Sequence, residues 1–164
     1  MFIEYFIIVI AVIVLICYII KDSNSLKNIT FTSDNKEVHI PTRATDGSAG
    51  YDFYLPKTIV IDAHSTNTVD SYIKVKIPKN HVLLLFPRSS LGIKNHIILA
   101  NTTGVIDSDY KDTIKLPLHN YDKFPIVLNK GERVAQGICV PYITSKDKPL
   151  STKRNGGIGS TGRY

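Results

Sequence analysis

Proline recurs through residues 38–143 and restricts the fold of this chain more than any other feature of its sequence. A proline inside a helix removes a hydrogen bond and clashes with the preceding turn, so this recurrence opposes long helices. The prolines concerned are Pro41, Pro56, Pro78, Pro87, Pro117, Pro125 and Pro141. Between them, short apolar runs alternate with turn residues about every 8–12 positions, which is typical of all-β proteins. We therefore predict a β-barrel or sandwich over roughly residues 37–143.

Individual strands can be recognised within this region. Two segments alternate apolar and polar residues and are predicted to bury one face: Ile73, Val75 and Ile77 in the first, and Ile114, Leu116 and Leu118 in the second. Two continuous apolar runs, Val82 to Phe86 and Ile97 to Ala100, are predicted to be buried on both faces. Only Ser89 to Asn95 has the character of a short helical turn.

The N-terminus is a separate apolar segment, Phe2 to Ile20, in which Glu4 is the only charged residue. As a helix it spans roughly 28 Å, close to the hydrocarbon thickness of a bilayer. A signal peptide lacks support, since no basic residue precedes the run and no small-residue cleavage site follows it. A buried helix fits poorly, because the run is apolar on every side. We predict a single-pass transmembrane anchor over residues 1–21, and the lysines that follow it, Lys21 and Lys27, predict a cytosolic domain.

Polar segments flank the predicted barrel, which we assign to residues 38–145. Residues 22–37 are rich in Asn, Ser and Lys and are interpreted as a linker. Residues 146–164 contain four glycines and few apolar residues, which predicts a flexible tail.

The net charge of +6 and the pI of about 9.3 are compatible with an anionic ligand. The lysines are dispersed and no basic patch is interleaved with aromatic residues, so a nucleic-acid partner is not predicted.

Residues 104–110, Gly-Val-Ile-Asp-Ser-Asp-Tyr, place two carboxylates and an aromatic ring at the end of an apolar strand. A carboxylate in this position, Asp107, has the character of a desolvated general base. The alternative is a simple hairpin turn, in which Asp and Ser are common.

Residues 87–92, Pro-Arg-Ser-Ser-Leu-Gly, place a cation and two hydroxyls at the start of the short helix, where a phosphate is favoured. The alternative is that Ser89 only caps that helix. Residues 154–162 carry one arginine, two hydroxyls and four glycines, and are either a phosphate-binding strip or a disordered tail.

Several other kinds of site are not supported. No His, Cys or Asp cluster has zinc-ligand spacing, no histidine partner is evident for Ser89 or Ser90, and the phosphate-loop pattern is absent.

In order and spacing, five segments resemble the five motifs of the trimeric dUTPase family. They are ATDGSAGYDFY at 44–54, PRSSLG at 87–92, NTTGVIDSDY at 101–110, GERVAQGI at 131–138 and RNGGIGSTG at 154–162. The resemblance covers about residues 38–164. It implies a jelly-roll-like β-barrel that assembles as a homotrimer, with active sites between subunits and a neighbour's glycine-rich tail closing each one.

The resemblance also implies a reaction, the hydrolysis of dUTP to dUMP and pyrophosphate, which keeps uracil out of DNA and supplies dUMP for dTMP synthesis. Asp107 would position and activate the attacking water. The implied cofactor is Mg²⁺, held mainly by the substrate triphosphate and water rather than by protein ligands.

Further site residues are implied position by position. Asn101 and the backbone at Gly104, Val105 and Ile106 would contact uracil. Tyr110 would pack under the deoxyribose and leave no room for a 2′-hydroxyl. Phosphate contacts would come from Arg88, Ser89, Ser90 and Gln136, and from Arg154, Ser160 and Thr161 when the tail closes. Gly157 and Ile158 of the same tail would also bind the substrate. Asp52 and Arg133 would support the site without reacting.

Three positions depart from the family pattern. Ile158 replaces the tail aromatic that covers uracil, Lys111-Asp112 replaces Arg-Gly, and Gly137 stands where an apolar residue is common. Two other functions remain as alternatives: a nucleotide-dependent binding or signalling module on the same scaffold, and dCTP deamination, which the segment Asp107-Ser108-Asp109-Tyr110 disfavours.

Overall fold

The computed structural model describes residues 2–25 and 28–147, with the side chains of the first helix described from Tyr5 to Cys17. Two helices and twelve strands are present in these residues. In chain order they are α1 (Phe2–Ser25), β1 (Thr30–Thr32), β2 (Thr42–Arg43), β3 (Tyr51–Tyr54), β4 (Ile59–Ile61), β5 (Thr66–Asp70), β6 (Lys74–Lys76), β7 (His81–Pro87), α2 (Ser89–Asn95), β8 (Ile97–Leu99), β9 (Gly104–Ile106), β10 (Lys115–Asn120), β11 (Ile126–Leu128) and β12 (Arg133–Pro141).

The strands form four antiparallel sheets around one core. The largest has the order β2-β3-β12-β7-β9, and the next has the order β5-β10-β8. Two pairs, β1-β6 and β11-β4, complete the arrangement. Most neighbours in these sheets are distant in sequence, so the chain crosses repeatedly between sheets. The prediction of an all-β domain is confirmed.

The core lies where the predicted apolar faces meet. Ile114, Leu116 and Leu118 are all fully buried, so the alternation predicted for this strand is confirmed. Burying one such side chain contributes roughly 1.5–3 kcal/mol relative to leaving it exposed. Strand β7 differs from its prediction, because Leu83 and Leu85 are buried while Leu84 on the other face is only half-buried. Within one chain, β7 therefore buries one face completely and the other in part.

The prediction of a transmembrane helix before the barrel is wrong. Nowhere in residues 2–25 and 28–147 does a helix combine the length and apolar character needed to cross a membrane. A span requires about 20 apolar residues and a hydrocarbon core of about 30 Å. The predicted membrane partner and the single-pass location with a cytosol-facing domain are withdrawn with the anchor.

Part of the segment interpreted as a linker is ordered against the barrel. Strand β1 pairs with β6, and Phe31 lies across from Val75. The ring of Phe31 also contacts Phe53 and Tyr51, with centroids 5.7 and 5.0 Å apart. A three-residue strand with a single apolar side chain has too little periodicity to be recognised in the sequence. The boundaries proposed for the linker, barrel and tail stay predictions.

Candidate active site

One buried carboxylate joins two of the segments that carry predicted site residues. Asp52, on β3, is 6% exposed. Its two oxygens pair separately: Oδ1 lies 3.0 Å from Nε of Arg88 and Oδ2 lies 3.0 Å from Nη1 of Arg133. A buried charge is costly unless it is paired and hydrogen-bonded, and here both oxygens are. We call these three residues the Asp52 cluster.

Strand pairing explains why the Asp52 cluster forms. Strand β12 lies between β3 and β7, so its first residues are adjacent to β3 on one side and to the end of β7 on the other. Arg133 begins β12, and the register shifts between Arg133 and Ala135. Arg88 directly follows β7. Three segments distant in sequence thus converge where β3 ends, β12 begins and β7 ends in the largest sheet.

Gln136 lies beside the Asp52 cluster and is half-buried. Its Nε2 donates to the carbonyl of Pro87 at 3.3 Å, and its backbone pairs with Asp52. Gly50 approaches the same side chain so closely that an added Cβ would lie 2.9 Å from Oε1 of Gln136. The role of Gly50 was missed in the sequence, where its only signal was its place in the segment 44–54.

Helix α2 begins directly after Arg88, and the predicted short helix at Ser89–Asn95 is confirmed. The helix is capped by Arg88 in an extended conformation, without a side-chain hydrogen bond from the cap. The alternative in which Ser89 serves only as the N-cap is therefore wrong. Ser89 and Ser90 are exposed in the first turn, next to the Asp52 cluster.

The segment around Asp107 follows β9, which lies on the other side of β7 from β12. Strand β9 pairs with β7 through Leu85, Leu84 and Leu83, which face Gly104, Val105 and Ile106. Gly104 packs tightly, since an added Cβ would lie 3.1 Å from the side chain of Leu85. Asn101, which precedes β9, is exposed. The following residue, Thr102, has a left-handed backbone with φ of 60°.

A turn then places Asp107 and Tyr110 in fixed relation. The amide of Tyr110 donates to the carbonyl of Asp107 at 3.1 Å, and the Tyr110 hydroxyl donates to the carbonyl of Thr113 at 3.1 Å. The Tyr110 ring is 7% exposed. Asp107 is exposed in the single chain, so the desolvation expected for a general base is not supplied by its own chain.

The Asp52 cluster and Asp107 lie at opposite ends of β7. Asp107 follows Ile106, which pairs with Leu83 near the start of β7, whereas Arg88 follows the end of that strand. The five residue-to-residue steps from Leu83 to Arg88 correspond to roughly 17 Å of extended chain. One chain therefore brings Arg88, Gln136, Asp52 and Arg133 together but leaves Asp107, Asn101 and Tyr110 apart from them. The predicted tail residues Arg154, Gly157, Ile158, Ser160 and Thr161 lie outside the described residues.

Within the described part of the chain, no group of three or more His, Cys, Asp or Glu side chains is arranged to hold a metal ion. Mg²⁺ commonly binds through substrate phosphates, keeps several waters and uses few protein carboxylates.

Comparison with known proteins gives a consistent result. The dUTPase family model matches residues 36–162. The deoxyuridine 5'-triphosphate nucleotidohydrolase of Lactococcus lactis subsp. lactis is 32% identical over 136 residues, which is 78% of this chain and 91% of that protein. The crystal structure of a Streptococcus mutans dUTPase is 31% identical, with a TM-score of 0.67, and the match covers 74% of this chain and 100% of that one.

A structural neighbour from phage phi11 of S. aureus, a mutant dUTPase described with a structural Mg(II) ion, shares the fold at 22% identity and a TM-score of 0.68. The match covers 76% of this chain and 97% of the phage protein. The predicted jelly-roll-like barrel is confirmed by these likenesses. Together with the match to the family over most of its length, they place the chain in the dUTPase family, the deoxyuridine 5'-triphosphate nucleotidohydrolases that hydrolyse dUTP to dUMP.

Proposed function

We propose that Asp107 orients and deprotonates the water that attacks the α-phosphorus of dUTP. The water oxygen forms the new bond to phosphorus, its proton passes to the Asp107 carboxylate, and the bond to the bridging oxygen breaks to release pyrophosphate and leave dUMP. One observation carries this assignment: the turn closed by the Tyr110 amide and the Asp107 carbonyl holds the backbone that presents an exposed carboxylate directly after β9. General bases held in this way contribute about 10²–10⁴-fold in rate.

Strand β9 and the residues before it also carry the proposed base recognition. Asn101 and the backbone at Gly104, Val105 and Ile106 lie in one segment, and Gly104 lets this segment pack closely on Leu85. Backbone donors and acceptors in fixed positions reject cytosine, since a mismatched polar edge would stay unpaired. Tyr110, the end of the same turn, supports the deoxyribose and excludes a 2′-hydroxyl by contact.

The phosphate chain is assigned to the opposite end of β7. Asp52 holds Arg88 through Nε, and the Nη groups of the same guanidinium supply donors for phosphate oxygens. Ser89 and Ser90 lie in the following turn and Gln136 lies alongside. In this arrangement Asp52 and Arg133 position Arg88 and do not react.

Since one chain separates the two halves of the site, we propose that they meet between subunits of a homotrimer. Asp107, Asn101 and Tyr110 of one copy would face Arg88 and Gln136 of another, which brings the base and the phosphate donors to one substrate. The half-buried outer face of β7 and the exposed Val105 on β9 offer apolar surface for such contact. The glycine-rich tail of a neighbouring copy is proposed to close the site through Arg154, Gly157, Ile158, Ser160 and Thr161.

Mg²⁺ is proposed as the cofactor, bound by the triphosphate of dUTP and by water. When bound it neutralises the charge that develops on the departing pyrophosphate. Arg88 and the backbone amides of the first turn of α2 share this task. The hydrolysis would keep uracil out of DNA and supply dUMP for dTMP synthesis.

The experiment that tests this proposal replaces the carboxylate alone. Asp107→Asn keeps the shape and removes the base, so we expect pyrophosphate release from dUTP to fall about a hundredfold or more. Asp112→Asn, an equal charge change in the exposed segment after the turn, serves as the matched control and should retain turnover. Near-normal activity of Asp107→Asn, measured with Mg²⁺ present, would contradict the role assigned to this residue.

A further inference from the structure

Three polar side chains next to Tyr110 form a hydrogen-bond network that the proposed mechanism does not use. Asp70 and Lys115 face each other across strands β5 and β10. The Lys115 ammonium donates to Oδ2 of Asp70 and, at 3.0 Å, to Oγ1 of Thr113. The Thr113 hydroxyl in turn donates to Oδ2 of Asp70 at 3.0 Å. We call these residues the Asp70 network.

Both oxygens of the Asp70 carboxylate are engaged. Oδ1 accepts the amide of Tyr72 at 2.9 Å, and this bond helps hold Tyr72 in a left-handed backbone conformation with φ of 57°. Burial raises the pKa of the Asp70 carboxyl. Hydrogen bonds from Lys115, from the Tyr72 amide and from Thr113, together with the Lys115 charge, lower that pKa by more than burial raises it. The pKa of Asp70 therefore lies below its usual value of 3.8. Asp70 is therefore ionised at neutral pH, and each of its two oxygens accepts at least one hydrogen bond.

The Asp70 network reaches the proposed sugar site through one carbonyl. Thr113, whose side chain is fixed by Asp70 and Lys115, accepts the Tyr110 hydroxyl on its backbone oxygen at 3.1 Å. The other end of Tyr110 is tied to Asp107 by the turn hydrogen bond. A phenol ring held at both ends has little freedom to tilt, and its position sets the space left beside the sugar.

The strands themselves are held independently of this charge pair. Ser71 donates to the carbonyl of Ile114 twice, from its amide at 3.0 Å and from Oγ at 2.7 Å. Ile114 donates back to the carbonyl of Ile73 at 2.8 Å. Removing Lys115 or the charge of Asp70 therefore leaves β5 and β10 joined, and the expected consequence is movement of the Thr113 carbonyl rather than loss of the fold.

We infer that Asp70, Thr113 and Lys115 are positioning residues that hold the Tyr110 ring where it discriminates deoxyribose from ribose. This inference rests on the proposed role of Tyr110 at the sugar. It adds three residues, Asp70, Thr113 and Lys115, that lie outside the five family-like segments and contact neither substrate nor water in the proposed mechanism. Their effect is on the choice between dUTP and UTP and not on the chemical step.

The test measures kcat/KM for dUTP divided by kcat/KM for UTP, on the full chain with Mg²⁺. Lys115→Met and Asp70→Asn should each lower this ratio roughly threefold or more, because each removes a charge-assisted hydrogen bond that is partly exposed to water. The loss should come from faster UTP turnover, while kcat for dUTP is retained. The double variant should lower the ratio little more than either single change, since both act through Thr113.

Two matched variants control for general effects of charge and packing. Lys115→Arg keeps the cation and should retain most of the ratio. Lys74→Met removes the lysine of the surface pair Lys74–Asp34, which joins at 2.8 Å, and should leave the ratio unchanged. Tyr110→Phe, which removes the anchored hydroxyl, should lower the ratio as the network variants do.

The outcomes separate this inference from the proposed function. If the wild type prefers dUTP and Tyr110→Phe weakens that preference, but Lys115→Met and Asp70→Asn keep the wild-type ratio, the inference is overturned and the proposed function stands. A wild-type chain without dUTP hydrolysis would overturn both.

Discussion

At the scale of single residues, the site depends on ion pairs that orient its charged side chains. Asp52 is an example, because its carboxylate is nearly buried and divides its two oxygens between Arg88 and Arg133. The family-like segments identify all three residues, yet no pattern in the sequence says that they contact one another. Such contact depends on the register of β12 against β3 and β7, which only the folded sheet supplies.

Replacing this carboxylate tests the arrangement directly. Asp52→Asn leaves two guanidinium groups beside a neutral amide. We expect a loss of about 1–3 kcal/mol in the free energy of unfolding. This loss is smaller than for a fully buried ion pair, because both arginines are partly exposed to water. KM for dUTP should rise at least severalfold while kcat falls less, since Arg88 loses its orientation. Denaturant unfolding and steady-state kinetics measure the two effects.

The control for this change is Asp62→Asn, at an exposed position just after β4. It should leave both stability and KM close to those of the wild type. An Asp52→Asn protein with unchanged KM would show that Arg88 is oriented without its carboxylate partner.

At the scale of elements, apolar periodicity predicted the fold where each strand buries one face in its own chain. Ile114, Leu116 and Leu118 follow that rule. Strand β7 does not, because its continuous apolar run is only half-buried on one side. The apolar N-terminal run predicts a membrane span from its length and hydropathy, and that prediction is wrong. Strand β1, with a single apolar residue, gave no signal at all.

The approach of β3 to β12 is the element-level feature that shapes the phosphate half of the site. Gly50→Ala would place a Cβ 2.9 Å from Oε1 of Gln136, and that flexible side chain must then move away from Pro87. We expect little change in stability, within about 1 kcal/mol, because only a side-chain end is displaced. KM for dUTP should rise severalfold, as measured by initial rates.

Gly47→Ala is the matched control, since an added Cβ there meets nothing within 4 Å. It lies in the same segment and requires no left-handed backbone, because the only glycine with positive φ among the described residues is Gly131. Equal KM values for the two alanine variants would argue against a role for the Gly50–Gln136 contact.

At the scale of the whole molecule, the main question is how Asp107 reaches a substrate held by Arg88. The sequence places both residues in recognisable segments, but their separation along β7 follows from the pairing of β9 with that strand. A separation of roughly 17 Å is too long for one carboxylate and one guanidinium to act on adjacent atoms. In the proposed mechanism the site is complete only when copies of the chain combine, so assembly is a condition of catalysis.

Mixing two inactive variants tests this condition. Arg88→Ala retains Asp107, and Asp107→Asn retains Arg88, so a trimer that contains both chains can place two intact residues in one site when the residues come from different subunits. With random mixing at equal amounts, about a quarter of the sites combine an intact Asp107 with an intact Arg88, and we expect dUTP hydrolysis to recover to about that fraction of the wild-type rate. If each site were formed within one chain, every site in the mixture would carry one defect and no activity would return. Each variant refolded alone provides the baseline rate. If activity recovers only after the two chains are unfolded and refolded together, exchange of subunits restores the reaction, and a residual rate of either variant does not explain it.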